Sequence, residues 1–219
     1  MRQLQLTADG SHTISIPEMN VSYHSHHGAI QESMHVFVRS GLMVLFEKFP
    51  GDPLRLLEIG FGTGLNALLS AREAGLHQRW IRYSGIEKYP LTEAETGQLN
   101  YGSLMAQQEL FNKIHEAEWE KETDISPYFS LLKLQIALPA ALPLQPVHGI
   151  YLDAFAPDVQ PELWSQAFFE QLYGLLLSGG ALLTYSSKSN VRRALTAAGF
   201  DVTKIPGPPG KREIVRAWK

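Results

Sequence analysis

Glycines at 60, 62 and 64, set between an apolar run and a helical one, are the residues of this chain best suited to hold a ligand. The run Leu54, Leu56, Leu57 and Ile59, bounded by Pro53 and by glycine, predicts a buried strand; Leu65, Leu68 and Leu69 predict a helix over 63–75. A turn without Cβ atoms lets a ligand approach the backbone, and the helix beyond it offers unpaired N–H groups to a carboxylate or phosphate. Trp80 to Glu87 reads as the next strand. It ends on a carboxylate 23 residues beyond Gly64, about the spacing at which an acidic side chain reaches the ribose of a bound nucleotide, and one carboxylate can accept from both ribose hydroxyls. The third chemical position is Asp153, between the apolar run Ile150-Tyr151-Leu152 and Ala154-Phe155-Ala156-Pro157. It either caps the helix that begins near Pro161 or faces a ligand, since open parallel sheets bind ligands at the carboxyl ends of their strands.

Dinucleotide sites also use a glycine turn after a first strand, but their third glycine falls at i+5. Here i+5 from Gly60 is Leu65, and the third glycine is at i+4. Glu58-x-Gly60-x-Gly62-x-Gly64 resembles instead the first motif of the class I S-adenosylmethionine (SAM) methyltransferases. In that family an Asp after the third strand often holds the adenine amino group; this chain has Gln135, Ile136 and Ala137 there. Three histidines, at 24, 26 and 27, suggest a metal, but neighbouring histidines in a loop seldom converge on one ion, and no carboxylate sits at a helical ligand spacing. No metal is expected.

The elements that must position these residues follow from periodicity. Leu4, Leu6, Asp9-Gly10, Ile14 and Ile16 predict a hairpin, and a polar segment, 23–33, leads into a helix from Met34 to Phe46 with Gln31 and Glu32 at its start. After the second sheet strand come a helix over 92–100, an acidic surface insertion over 107–124 facing the domain with Leu110, Phe111, Ile114 and Trp119, and a third strand over 131–136. Trp164 to Leu176 predicts a helix closed by Gly179-Gly180. A buried strand over 181–186, a helix over 190–198 and strands over 202–205 and 213–218 complete the chain, the last two flanking a stiff turn, Pro206 to Arg212. The fold class is α/β: a Rossmann-like, mostly parallel seven-stranded sheet with an antiparallel final strand, plus an N-terminal β-hairpin and helix. Residues 1–50 are expected to pack on a 51–219 core as one compact unit.

At 219 residues and 44% hydrophobic composition the chain can bury a full core. No run approaches the roughly 18 apolar residues that span a bilayer, and Met1 to Gly10 has no apolar targeting core, so a cytoplasmic protein without a membrane partner is expected, a monomer by default. The absence of cysteine removes disulfides and thiol nucleophiles. The net charge of −3 is uneven: 188–219 carries +6 and the remainder −9. That is either ordinary solvated surface or a face for a phosphate-rich partner, for which Lys188, Arg192, Arg193, Lys211 and Arg212 are the candidate backbone contacts.

Several separated motifs go beyond a fold. His12-Thr13, Tyr23-His24-Ser25, His27 to Ser33, Glu58 to Asn66, Asp153 to Pro157 and Gly210-Lys211-Arg212-Glu213 together resemble the bacterial tRNA wobble-uridine methyltransferases, which convert 5-aminomethyl-2-thiouridine to its methylaminomethyl form. The length is similar to the stand-alone members; bifunctional members add a flavin-dependent oxidase domain, so no FAD is expected. The resemblance implies a SAM pocket built from Glu58, Gly60, Gly62, Thr63, Gly64, Asn66 and Glu87 with Lys88 beside it, closed by Tyr23 and Gln31. It also implies that Asp153 faces the acceptor amine and that the partner is a tRNA anticodon stem-loop. Two other readings keep the fold: a SAM-dependent enzyme acting on another amine, and a non-catalytic tRNA-binding module.

Overall fold

The computed structural model describes residues 2–51 and 53–219. A three-stranded antiparallel sheet opens the chain: β1 (Gln3–Leu6), β2 (His12–Ile16) and the short β3 (Val21–Ser22). The Asp9-Gly10 turn closes β1 on β2 with Leu6 opposite His12; Asp9 accepts from the Ser11 N–H, and Gly10 takes a left-handed φ of 81°. One helical run then covers 29–48, as α1 (Ala29–Ser33), a π-helical stretch (Met34–Leu42) and α2 (Met43–Lys48).

The main sheet alternates strands and helices. It comprises β4 (Leu54–Ile59), α3 (Leu65–His77), β5 (Ile81–Ile86), three helices α4 (Glu93–Thr96), α5 (Tyr101–Leu104) and α6 (Gln108–Glu116), then β6 (Glu122–Ser126) and β7 (Phe129–Leu134). The second half adds β8 (Val147–Leu152), α7 (Gln166–Leu175), β9 (Leu176–Thr184), α8 (Ser189–Ala197), β10 (Asp201–Pro206) and β11 (Glu213–Trp218). Strand order is β10-β11-β9-β8-β4-β5-β7-β6. The pairs β9-β8, β8-β4, β4-β5 and β5-β7 are parallel, and β11 runs antiparallel to both neighbours. The expected α/β sheet with its antiparallel final strand is present.

Alternate residues of one strand feed opposite faces, as a sheet covered on both sides requires. On one face Leu54, Leu56, Tyr83, Phe129 and Tyr151 pack under the 29–48 helix, α3 and α6; on the other Leu57, Ile59, Ile150, Leu152 and Val215 pack under α7 and α8.

Three expectations change. The sheet has an eighth strand: the 107–124 segment, read as a surface insertion, forms α6, with Phe111 and Ile114 buried, and leads into β6, which pairs antiparallel with β7. The helix expected over 92–100 shrinks to α4, because Asn100 turns its side chain to the hairpin, accepting from His12 N at 2.8 Å and donating to Gly10 O at 2.9 Å. Gly179-Gly180 does not close α7, which ends at Leu175. Both glycines lie inside β9 where its register with β8 shifts, and a Cβ on Gly180 would sit 2.8 Å from His148 O.

Candidate active site

A cavity of about 420 Å³ opens at the carboxyl ends of β4, β5 and β8. Its walls come from three parts of the chain. Gly60, Gly62, Glu87 and Lys88 line one side; Asp153, Phe155 and Tyr185 line another; Tyr23, His24 and Glu32 from the N-terminal segment meet Lys211 from the C-terminal turn. Strand order explains the meeting, because β4 lies between β5 and β8 and delivers the glycine turn between the tips that carry Glu87 and Asp153.

The glycines are required first by the protein itself. Gly60, Gly62 and Gly64 have φ of 91°, 50° and 72°, a region that L side chains avoid. A Cβ on Gly60 would stand 2.7 Å from Asp153 O, one on Gly62 3.0 Å from Tyr23 Cδ1, and one on Gly64 3.0 Å from His115 Nε2. The turn is thus bare because the Asp153 backbone after β8, Tyr23 and α6 crowd it, as well as open toward the cavity.

Glu87 spans the turn: one oxygen accepts from Gly62 N–H at 3.0 Å and the other from Tyr89 N–H at 2.9 Å. Each oxygen keeps a lone pair for a further donor. Lys88 is exposed, with Nζ 4.9 Å from the Tyr89 ring.

Beneath the turn lies a chain of polar groups. Asn66 Nδ2 donates to Glu58 Oε1 and to Asp153 Oδ2, both at 2.8 Å, and Tyr83 donates its hydroxyl to Glu58 Oε2 at 2.9 Å. Burial, then the neighbouring Asp153, pushes the Glu58 carboxyl well above its ordinary range. Asp153 is pushed up to about 8, chiefly by burial and next by the charge of Glu32, against the lowering influence of Asn66 and Lys211.

Several sequence-expected positions fall elsewhere. Glu58, Thr63, Gly64 and Asn66 are buried and support the turn from below; none of them lines the cavity. Gln31 is exposed, its N–H bonded to Asp9 Oδ2 at 2.9 Å, and its neighbour Glu32 is the cavity residue. Lys211 is no surface cation: it points inward and pairs with Glu32 at 2.6 Å. Lys188 pairs with Asp158, and Arg192 donates Nε to Ser187 O at 3.2 Å, whereas Arg193 and Arg212 are exposed. After the strand where the resemblance places an adenine-contacting Asp, Gln135 is exposed and Ile136 and Leu138 line the cavity instead.

His24 is a core histidine. It is packed among Thr13, Thr63 and Tyr101, and burial lowers it to about 4. No group of three or more acidic or histidine side chains able to hold a metal occurs among the described residues. No helix of the described residues is long and apolar enough to cross a membrane.

Sequence reasoning missed Phe155 and Tyr185 as cavity residues, although both lie at the carboxyl ends of parallel strands. It also missed a second cavity of about 480 Å³ across Gly62 from the first, lined by Phe61, Phe111, His115, Trp119 and Lys133. There Lys133 Nζ donates to His115 O at 2.9 Å, and burial lowers its amine to about 8.

A family described as S-adenosyl-L-methionine-dependent methyltransferase matches residues 104–219, more than half of the chain and the part that carries Asp153. The chain belongs to that family. A tRNA 5-methylaminomethyl-2-thiouridine biosynthesis bifunctional protein MnmC from Chromobacterium violaceum is 33% identical over 215 residues, covering 90% of this chain and 32% of that protein. The chain spans about a third of the length of the curated relatives it matches. Among solved structures, MNMC2 from Aquifex aeolicus aligns with a TM-score of 0.83 at 26% identity, covering 100% of this chain and 70% of that one. Spermidine synthase from Thermotoga maritima aligns with a TM-score of 0.62 at 12% identity, covering 99% and 68%, which is a likeness of fold alone. As a methyltransferase the chain uses SAM, and the cavity fits it in chemistry: an open carboxylate at Glu87, a turn without Cβ atoms, and apolar walls from Ile59, Ile86, Ile136 and Leu138.

Proposed function

We propose that the chain N-methylates the aminomethyl group of 5-aminomethyl-2-thiouridine, or its 2-oxo counterpart, at the wobble position of tRNA. The observation that carries this reading is that Asp153 shares one cavity with Gly60, Gly62 and Glu87. A reacting amine beside Asp153 would therefore lie within reach of a cofactor held at the turn.

In this reading Glu87 holds the ribose hydroxyls, the glycine turn at Gly60 and Gly62 holds the amino-acid end, and Ile136 and Leu138 cover the base. Tyr23 closes over the turn, its ring edge-on to Phe155 with centroids 5.2 Å apart. Bound SAM supplies a methyl group activated on a sulfonium, which the amine nitrogen takes as the C–S bonding pair returns to sulfur. The amine must be neutral and aligned before that happens. The Asp153 carboxylate accepts an N–H bond and receives the proton that the ammonium form gives up, which leaves the nitrogen lone pair free for the methyl group. Asn66, donating to both Asp153 and Glu58, fixes the Asp153 rotamer.

Residues 1–50 belong to the same working unit as 51–219 because they bring Tyr23, His24 and Glu32 to the cavity. The relatives' name, which specifies 5-methylaminomethyl-2-thiouridine biosynthesis in tRNA, supports this acceptor. A cytoplasmic setting without a membrane partner, where tRNA is found, follows from the same acceptor. A smaller amine acceptor is the second reading. It is favoured by the internal ties of Lys188, Lys204, Arg216 and Lys219, which thin the C-terminal basic surface.

The test is incubation with labelled SAM and tRNA carrying or lacking 5-aminomethyluridine, followed by nucleoside mass analysis. Label in 5-methylaminomethyluridine from the first tRNA only is the expected result. No transfer to either, with SAM bound, would move the reading to the smaller amine.

A further inference from the structure

The cavity contains an ion pair with no role in the reading above. Lys211 Nζ lies 2.6 Å from Glu32 Oε1 and 4.2 Å from the centroid of the Tyr185 ring. Tyr185 is fixed by donating its hydroxyl to Ala154 O at 2.9 Å, and the second Glu32 oxygen accepts from Ser25 N–H at 3.0 Å. The Glu32 and Lys211 side chains are only 12% and 30% exposed. Drawing two charges largely out of water is costly, and such pairs are poor sources of stability.

A carboxylate beside an aromatic face is what an alkylammonium group needs: a charged acceptor for its N–H groups and a ring quadrupole for its charge. Lys211 ends in a primary alkylammonium, the same group that an aminomethyl acceptor carries. Its position within the cavity that holds Asp153 makes it an internal stand-in for the acceptor. We propose that Glu32 and Tyr185 form the docking subsite for the acceptor's primary ammonium group, and that Lys211 fills this subsite until the acceptor displaces it. This rests on the amine-methylating reading and names the residues that select the amine.

Two consequences follow. An acceptor without the amine cannot replace Lys211 and gains nothing from Glu32, so the subsite discriminates by giving its carboxylate only to a competing ammonium. Displacement also touches the cavity wall, because Lys211 belongs to the 206–212 turn that leans on the N-terminal segment. His35 Nε2 lies 2.8 Å from Pro206 O, and Gly210 abuts the His27 ring too closely for any Cβ.

The experiment is calorimetric titration of 5-aminomethyluridine and, as control, 5-methyluridine into the protein saturated with S-adenosylhomocysteine. Wild type, Glu32→Gln, Lys211→Met and the double variant are compared. Expected are at least tenfold weaker binding of the amine-bearing nucleoside by Glu32→Gln, about tenfold tighter binding by Lys211→Met, and 5-methyluridine indifferent to both. The double variant should stay as weak as Glu32→Gln. Return of the double variant to wild-type affinity, equal shifts for both nucleosides, or no preference for the amine would overturn the proposal. The tRNA assignment fails separately: wild type that leaves aminomethyl tRNA unmethylated, yet keeps these nucleoside preferences, loses the tRNA acceptor and retains the subsite.

Discussion

Asp153 sits where folding favours its neutral form. Its native pKa, raised by burial from 3.8 to about 8, lies above the unfolded value, so the fold prefers the neutral carboxyl. The associated stability is complete below about pH 4 and is lost as pH rises through the native value near 8. Asp153→Asn keeps the shape without the ionisation. In thermal melts of the ligand-free protein the variant should match wild type near pH 4 and exceed it near pH 8, by on the order of 2 kcal/mol after allowing for solvent in the cavity. Its turnover should fall at least a hundredfold, since an amide cannot take the proton. A variant no more stable than wild type near pH 8 would contradict the raised pKa. The placement of Glu87 and Asp153 in the cavity is legible in the sequence, because each ends an apolar strand run and parallel sheets expose such tips to ligand. The Glu32–Lys211 contact is not, since nothing local in either segment points to a partner at the far end of the chain.

At the scale of elements the glycine turn is where packing and ligand access coincide. The sequence pattern around Gly60 predicted strand, turn and helix, and β4 and α3 are there. It could not show that the backbone at Asp153, just past β8, crosses Gly60 closely enough to exclude a methyl group, since that depends on strand order. Gly60→Ala combines a Cβ 2.7 Å from Asp153 O with a φ of 91°. The backbone strain alone costs on the order of 1–3 kcal/mol. The expected result is a lower melting temperature together with weaker SAM binding by calorimetry; unchanged values of both would mean that the turn has room to relax. The 92–100 and 179–180 readings failed for a related reason. Asn100 and Gly179-Gly180 look locally like a helix end and a helix cap, but one is claimed by the hairpin backbone and the other by a register shift between strands.

Across the whole molecule the basic C-terminal segment is less open to a partner than its net charge suggests. Lys204 pairs with Glu213 at 2.8 Å, Arg216 donates to Ser40 O at 3.2 Å, and Lys219 donates to Tyr173 O and Leu176 O at 2.8 and 2.7 Å. Charge counted along the sequence cannot distinguish such tied cations from exposed ones. Arg193 and Arg212, both exposed, are therefore more open to a phosphate backbone than Lys188 and Lys211, which are paired with Asp158 and Glu32. Reversing Arg193 and Arg212 to Glu should weaken tRNA binding at low salt at least tenfold and flatten its salt dependence, measured by filter binding across a salt series. Binding that does not respond would move the tRNA face elsewhere.

The central claim is that one cavity holds two subsites, with Glu87 serving the cofactor and Asp153 the acceptor. SAM affinity, measured calorimetrically on wild type, Glu87→Ala and Asp153→Asn, tests it most directly. The account predicts at least a tenfold loss for Glu87→Ala and a change within about threefold for Asp153→Asn, because a ribose carboxylate contributes charge-assisted hydrogen bonds that the acceptor-side residue does not. Equal losses in both, or a loss confined to Asp153→Asn, would contradict it.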